Sequence, residues 1–156
     1  MSAVLSQPTR ATAPPVAAIA ASPSTAAGLA LLRVALGTVW IAHALLKPLV
    51  FTFAGTVQFF ESVGIPGALV GPVFAAEIAI GAALILGIYA RQAALLSLPI
   101  LLTVVWVHLP NGWVHTVKGG GWEYPVFLCI SSLVVWLAGD GALAWRRSVR
   151  FVPGLR

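Results

Sequence analysis

Charged residues are scarce in this sequence. Only 8% of its 156 residues are charged, whereas 60% are hydrophobic, and the mean hydropathy is +0.98. A soluble domain carries about 25% charged residues to keep its surface in water. The lack of charge excludes an ordinary soluble domain and indicates a surface that faces lipid. A chain of this length has room for one domain with about four membrane spans of about 20 residues each.

Cysteine and the common metal-binding spacings are also lacking. Cys129 is the single cysteine and lies inside an apolar run, which excludes an intramolecular disulfide and favours a buried structural thiol. The three histidines form no H-x-x-x-H pair, so no metal site is predicted. The sequence contains no haem, flavin or iron–sulfur motif. Electrons that reach this chain would therefore have to come from a partner protein.

Acidic residues are outnumbered by basic ones, with four Asp and Glu against nine Lys and Arg and a net charge of +5. The basic residues lie mostly in the tails and one short turn. They therefore predict membrane topology, and nucleic acid is not an expected partner. Arg10, Arg91 and the four C-terminal arginines fall on one side of the membrane, against Lys47 and Lys118 on the other. The positive-inside rule predicts that both termini are cytoplasmic.

The hydrophobic runs and helix breakers predict an all-α fold, an integral membrane four-helix bundle that contacts the lipid bilayer. Residues 1–27, rich in Ala, Ser, Thr and Pro, are expected to form a disordered cytoplasmic tail, and residues 145–156 a basic cytoplasmic tail. Residues 48–64 alternate aromatic and polar side chains, which is typical of a short amphipathic segment in the membrane interface. The predicted spans of the four-helix domain, residues 28–144, are 28–46, 66–89, 93–109 and 123–144.

Ionisable side chains inside the predicted spans require a partner, a wet cavity or a route to the interface. At about 1.5 Å of rise per residue, the two histidines of the spans lie near their outer ends, and Glu77 leans outward from a deeper position. We therefore expect a polar cluster in the outer half of the bundle, formed by His43, Glu77, His108, Glu123 and Tyr124.

Purely structural roles compete with this interpretation. Arg33 leans inward and is expected to reach the cytoplasmic headgroups, although a pair with Glu77 stays open. Glu77 could equally be a protonated carboxyl or one satisfied by a neighbouring helix. Histidines near helix ends can simply bind interfacial water, which applies to His43 and His108.

Several motifs resemble the DoxX family of small bacterial and archaeal membrane proteins. They are the segments 33–37, 59–66 and 120–124, together with His43, Lys47, Glu77, Gly81, Leu86-Gly87, Arg91, His108 and the closing Gly139-Asp140-Gly141. The resemblance implies a four-helix fold in the cytoplasmic (inner) membrane. It singles out Arg33, Lys47, Gly64, Pro66, Glu77, Arg91, His108, Glu123 and Tyr124. Ala142 to Trp145 depart from the Ser-Leu-Asp ending that is common in relatives, which puts partner docking at this end in doubt.

Some members of that family are subunits of thiosulfate:quinone oxidoreductases or of complexes with sulfur-transfer and superoxide-detoxifying enzymes. The resemblance therefore implies a membrane subunit that links a reduced sulfur compound or a thiol to membrane quinone. Glu77 with His43 or His108 is the expected proton donor. Candidate quinone-binding residues are Trp106, Phe74 and Trp136, which would line an apolar slot, and Arg33, Glu123 and Tyr124.

Two other functions are compatible with the same sequence. The chain could be a non-enzymatic anchor that recruits soluble redox enzymes, in which case the polar residues would serve stability alone. It could also be a small-solute or ion carrier in which Glu77 and Arg33 mark a path across the membrane. A protein partner in a redox complex or a homo-oligomer is expected.

Overall fold

The computed structural model describes residues 22–149, and this part of the chain is α-helical, as predicted. Its helices are α1 (Pro23–Leu46), α2 (Phe53–Ser62), α3 (Val70–Leu86), α4 (Ala90–His108) and α5 (Glu123–Ala138). With their flanking turns, α1, α3 and α4 are long and apolar enough to cross a membrane. α5 is also apolar but has 16 residues, and it packs mainly along α4.

Helix α1 begins inside the segment that the sequence predicted as a disordered tail. The hydroxyl of Ser22 accepts a hydrogen bond from the backbone N–H of Thr25 at 3.2 Å, and Pro23 occupies the first turn. A serine N-cap followed by proline is a favourable helix start, because the first turn does not use the missing N–H of proline. The helix therefore starts at Pro23 and not at residue 28, while residues 1–21 lie outside the described part.

A short helix joins α1 to α3, in the place of the predicted amphipathic segment. α1 ends in a π-helical turn, Lys47–Phe51, and the chain then reverses at Thr52, which has φ 60° and ψ 156°. The Thr52 hydroxyl accepts a hydrogen bond from Gly55 N at 3.1 Å and so caps α2. Phe53 and Phe59 are exposed on this helix, which suits an interfacial position.

Helices α1 and α3 run antiparallel at very short range. A Cβ added to Gly37 would lie 2.7 Å from the carbonyl oxygen of Gly81, and one added to Gly81 would lie 2.8 Å from Ile41. Glycine at both positions lets the two backbones approach closely. This contact fixes the register in which residues of α1 meet residues of α3.

The core lies where α1, α3, α4 and α5 meet, and it includes a hydrogen bond between two serine side chains. Ser97 of α4 and Ser132 of α5 are fully buried and share a hydrogen bond of 3.0 Å. The other buried side chains of the core are apolar and come from all four helices: Leu36, Trp40, Ile80, Leu84, Ala90, Ala93, Ala94, Leu101, Leu128, Cys129 and Val135. The structure thus supports the predicted four-helix arrangement, with α2 as an addition at one end.

The chain after α5 folds back onto the bundle. α5 ends at Ala138 and not at the predicted residue 144, since Gly139 (φ 111°) leaves the helix. Residues 139–149, called here the C-terminal strap, bind the start of α1 through Ala142 N and Ala26 O at 2.8 Å. They also form a parallel bridge between Arg146 and Ile88 in the α3–α4 connection. Residues 145–149 of the predicted basic tail are thus part of the folded domain, and residues 150–156 lie outside the described part.

Candidate functional site

Arg33 is fully buried, with 1% of its surface exposed. Its Nη1 donates hydrogen bonds to the carbonyl oxygens of Leu84 at 2.7 Å and Ile85 at 3.1 Å, and its Nη2 donates to Ala142 O at 3.1 Å. The last carbonyls of a helix lack partners within the helix and form the negative end of its dipole. Arg33 therefore caps α3 and holds the strap.

This arrangement corrects the sequence-based expectations for Arg33. The guanidinium does not reach toward the headgroups, and it does not pair with Glu77, because the end of α3 offers it carbonyl oxygens at hydrogen-bond distance. Gly87, with φ 68°, lies against it, and any Cβ there would overlap Nη1. Two guanidinium nitrogens are thus bound to backbone atoms, which gives Arg33 a structural role.

Glu77 forms an ion pair with Lys47, the residue that follows α1. The Nζ to Oε2 distance is 2.5 Å, and the two side chains are 12% and 8% exposed. The register set by Gly37 and Gly81 places Glu77 level with Ile41 of α1. Helical side chains lean toward their own N-terminus, so Lys47 leans back along α1 while Glu77 leans toward the start of α3, and the two meet. In a charge pair that is mostly buried, each partner offsets part of the cost of burying the other.

The two histidines of the predicted cluster each bond to their own helix. His43 Nδ1 lies 2.9 Å from Val39 O, and His108 Nδ1 lies 2.8 Å from Val104 O. Since a carbonyl oxygen only accepts, Nδ1 is the donor in both rings, and a neutral ring then carries its lone pair on Nε2. The His43 ring also stacks on Tyr124, with centroids 6.1 Å apart and an interplanar angle of 27°.

An open groove of about 410 Å³ runs along the first turns of α5. At its polar end, the Oε1 atom of Glu123 accepts hydrogen bonds from His115 N at 2.8 Å and from His115 Nδ1 at 2.6 Å. Apolar side chains continue the groove along the helix toward the middle of the bundle. We call this site the α5 groove; its lining is Trp113, His115, Glu123, Tyr124, Val126, Phe127 and Ile130.

The expected outer cluster is therefore divided into separate contacts. Tyr124 meets His43, while the hydrogen-bond partner of Glu123 is His115 and that of Glu77 is Lys47. Between residues 22 and 149, no group of three or more His, Cys, Asp or Glu residues is arranged to hold a metal ion.

The three aromatic residues expected to line a slot lie in different surroundings. Trp106 is 57% exposed on the outer face of α4. Phe74 of α3 packs edge-to-face on Phe53 of α2, with ring centroids 5.3 Å apart. Trp136 of α5 packs against the core. These positions do not define one common slot within the described residues.

The DoxX model matches residues 28–109, which is more than half of the chain. The chain belongs to the DoxX family. No curated protein matches it, and neither does any solved structure.

The matched region of this DoxX protein covers only part of the geometry described above. Arg33, Lys47, Glu77 and His108 lie within it, whereas the α5 groove and the C-terminal strap lie beyond residue 109. The family match therefore includes the buried ion pair and the arginine that caps α3. It does not extend to Glu123 and Tyr124.

Sequence reasoning about this DoxX chain missed two partners. Lys47 was noted as a family position but was not paired with Glu77, although it is the basic residue next to the outer end of the first span. His115 was not part of the predicted polar cluster, yet it binds Glu123 and lines the α5 groove. Its position eight residues before Glu123, across a glycine run, gave no periodic signal.

Proposed function

We propose that this DoxX protein is the membrane subunit of a redox complex that passes electrons from a reduced sulfur compound or a thiol to membrane quinone. We further propose that the α5 groove holds the quinone. The observation that supports this site is its composition: titratable side chains stand at one end of a groove whose other residues are apolar and open to lipid. A quinone combines a polar head with an apolar tail and suits such a groove.

The polar end of the groove offers the groups that quinone reduction needs. Reduction of a quinone to a quinol consumes two electrons and two protons. The Tyr124 hydroxyl can donate a hydrogen bond to a quinone carbonyl, and the exposed ring of His115, bonded to Glu123, can carry protons from water. Val126, Phe127 and Ile130 would then contact the isoprenoid tail.

The three residues predicted as proton donors have different roles in this proposal. His43 contacts the groove residue Tyr124, so it can exchange protons with the site through that hydroxyl. Glu77 is held by Lys47 and is assigned a supporting role. His108 has its Nδ1 bonded within α4, which leaves Nε2 as its reactive atom. The electrons come from a partner protein, since the sequence lacks a cofactor motif.

The proposed orientation follows the charges. Arg91, Arg146 and Arg147 lie where α3 joins α4 and the strap returns, whereas Lys118 lies in the loop at the opposite end. The positive-inside rule supports a cytoplasmic location for the arginine end, and with it for both termini, in a bacterial or archaeal inner membrane. The α5 groove then opens at the outer side.

Quinone reduction in membranes that overexpress the protein tests the site. We expect a rate that depends on thiosulfate, sulfide or a thiol, and that falls by about tenfold or more in Tyr124→Phe because a general acid is lost. Tyr89→Phe is the matched control, since Tyr89 is the other tyrosine of the chain and lies at the opposite end. A rate no higher than in empty membranes refutes the redox function, and equal rates in the two variants refute the groove as its site.

A second candidate function rests on the loop between α4 and α5. Val114 and Val117 are exposed there together with Trp113, which is typical of a surface that docks another protein. A non-enzymatic anchor for soluble redox enzymes would use this loop. Under that function, Val114→Ser with Val117→Ser removes the partner during co-purification, while Tyr124→Phe changes neither the partner nor the activity of the complex.

A further inference from the structure

The backbone of the C-terminal strap is fixed to the connection between α3 and α4. Trp145 N donates to Leu86 O at 3.2 Å, Arg146 N donates to Gly87 O at 3.0 Å, and Tyr89 N donates to Arg146 O at 3.0 Å. The first two bonds satisfy carbonyls at the end of α3 that have no partner within the helix. The strap therefore presents its side chains from a well-held backbone.

The single acidic residue of the strap is turned inward. Asp140 is buried and accepts hydrogen bonds from the backbone N–H of Ser148 at 2.9 Å and from the Ser148 hydroxyl. The Ser148 hydroxyl oxygen in turn accepts a hydrogen bond from Arg91 N at 2.9 Å. The acidic side chain of the strap thus forms its hydrogen bonds within the strap, and the charged side chains that the strap exposes are positive.

The outward side chains of the strap combine large apolar groups with arginine. Leu143 is 92% exposed and Trp145 is 73% exposed, and Arg146 and Arg147 are exposed beside them. The strap lies level with the end of α3 and the start of α4, two helices that are long and apolar enough to cross a membrane. Tryptophan favours the headgroup boundary, and arginine binds phosphate.

We propose that the C-terminal strap is a docking surface for the anionic leaflet of the membrane. Leu143 and Trp145 enter the boundary between acyl chains and headgroups, while Arg146 and Arg147 bind lipid phosphates. The positive charge of the strap favours an anionic partner. The two large exposed apolar side chains beside it favour a lipid over a soluble anion. Glu61, Glu77 and Glu123 do not compete, since they lie in α2, α3 and α5 away from the strap.

Lipid binding at this surface is coupled to the stability of the bundle. Ala142 of the strap accepts a hydrogen bond from the buried Arg33, and Ala142 N binds Ala26 of α1. A ligand that binds the docked strap and not the released one raises the stability of the docked state. Anionic lipid should therefore raise the temperature of unfolding of the protein.

The test is a lipid titration of the purified full-length protein in neutral detergent. Phosphatidylglycerol is expected to raise Tm in a saturable way, and phosphatidylcholine to leave it unchanged. The half-saturating fraction of phosphatidylglycerol should rise about fivefold in Arg147→Gln and about 25-fold in Arg146→Gln/Arg147→Gln. Lys118→Gln, which removes one positive charge from an exposed loop residue at the other end, should titrate like the wild type.

Each other outcome overturns the proposal. Equal stabilisation by the two lipids removes the role of charge, and a double variant that titrates like the wild type removes the role of the strap. Soluble glycerol phosphate that reproduces the effect identifies a free phosphate, and not the leaflet, as the ligand. The wild type alone gives a further check, since 0.5 M salt should weaken the response to phosphatidylglycerol if arginine–phosphate attraction drives it.

Discussion

The two ends of this bundle bind their charged side chains in different ways. At the strap end, Arg33 is bound by backbone carbonyls of α3 and of the strap. At the groove end, charged and aromatic side chains meet one another, as Lys47 meets Glu77 and His115 meets Glu123. Backbone carbonyls do not titrate, whereas acidic and basic side chains can exchange protons. The strap end is therefore suited to holding the helices together, and the groove end to chemistry.

The largest effect is expected at the strap end. Arg33→Met removes three hydrogen bonds from a charged donor and leaves the carbonyls of Leu84 and Ile85 without it, so the free energy of unfolding should fall by about 3 to 4 kcal/mol. Denaturation by SDS in mixed micelles measures this loss. Lys118→Gln, at an exposed loop position, serves as the control and should stay within about 0.5 kcal/mol.

Arg33→Lys sharpens the same test. An ammonium group cannot span three carbonyls as a planar guanidinium does, so lysine should restore less than half of the lost stability. If Arg33→Met costs less than about 1 kcal/mol, the carbonyl contacts do not hold this end, and the distinction between the two ends disappears.

Breaking the ion pair at the groove end should have the next largest effect. Glu77→Gln or Lys47→Met leaves one buried charge without its partner and should each cost about 2 kcal/mol. The double variant should cost clearly less than the sum of the two, with a coupling energy of about 1 kcal/mol or more. Strictly additive losses would mean that the two side chains do not stabilise each other.

The same Glu77→Gln variant separates a structural from a catalytic role. The sequence-based prediction that Glu77 donates protons requires quinone reduction to vanish in this variant at normal levels of folded protein. A supporting role requires the rate per folded molecule to be retained while stability falls. The measurement is the quinone reduction rate divided by the amount of folded protein in the membrane.

The middle of the bundle provides a reference between the two ends. Ser132→Ala removes the hydrogen bond to Ser97 but leaves Ser97 bonded to Ala94 O at 2.7 Å. The loss of unfolding free energy should be about 1 kcal/mol, as for one neutral hydrogen bond. Thr38→Ala, at an exposed site on α1, should be nearly neutral in the same denaturation assay. An equal effect of the two variants would contradict a buried role for the serine pair.

The smallest effect is expected at Trp106. Since its ring is 57% exposed on α4, Trp106→Ala should change the free energy of unfolding by about 0.5 kcal/mol or less and should leave quinone reduction unchanged. Trp40→Ala, which empties a buried position, should cost about 3 kcal/mol or more in the same assay. Loss of quinone reduction in Trp106→Ala would support the prediction from the sequence that Trp106 lines a quinone-binding slot.

Much of the fold could be predicted from the sequence. The all-α class, the long apolar helices and the presence of an amphipathic segment between the first two of them follow from hydrophobic length and periodicity. The errors fall at helix ends. Pro23 was placed in the disordered tail although it begins a helix, and the last span was extended through Gly139 although the chain turns back there. Such ends depend on capping and on contacts with distant residues, which periodicity does not encode.

The candidate site was harder to predict than the fold. The sequence drew attention to Arg33 and Glu77 because ionisable residues inside a membrane require a reason. It could not supply their partners, since Arg33 bonds to carbonyl oxygens and carbonyls carry no sequence signature. Lys47 became the partner of Glu77 only through the register of α1 against α3.

The sequence by itself determined that this chain lies in a membrane and which polar residues inside it need partners, because hydrophobic length and the cost of buried charge are local properties. The tertiary structure alone decided which partners they find. Lys47 and Glu77 are 30 residues apart, and Arg33 and Ala142 are 109 residues apart. Residues this far apart in sequence are brought together by the close approach of Gly37 to Gly81 and by the return of the strap. Both features depend on how whole helices pack.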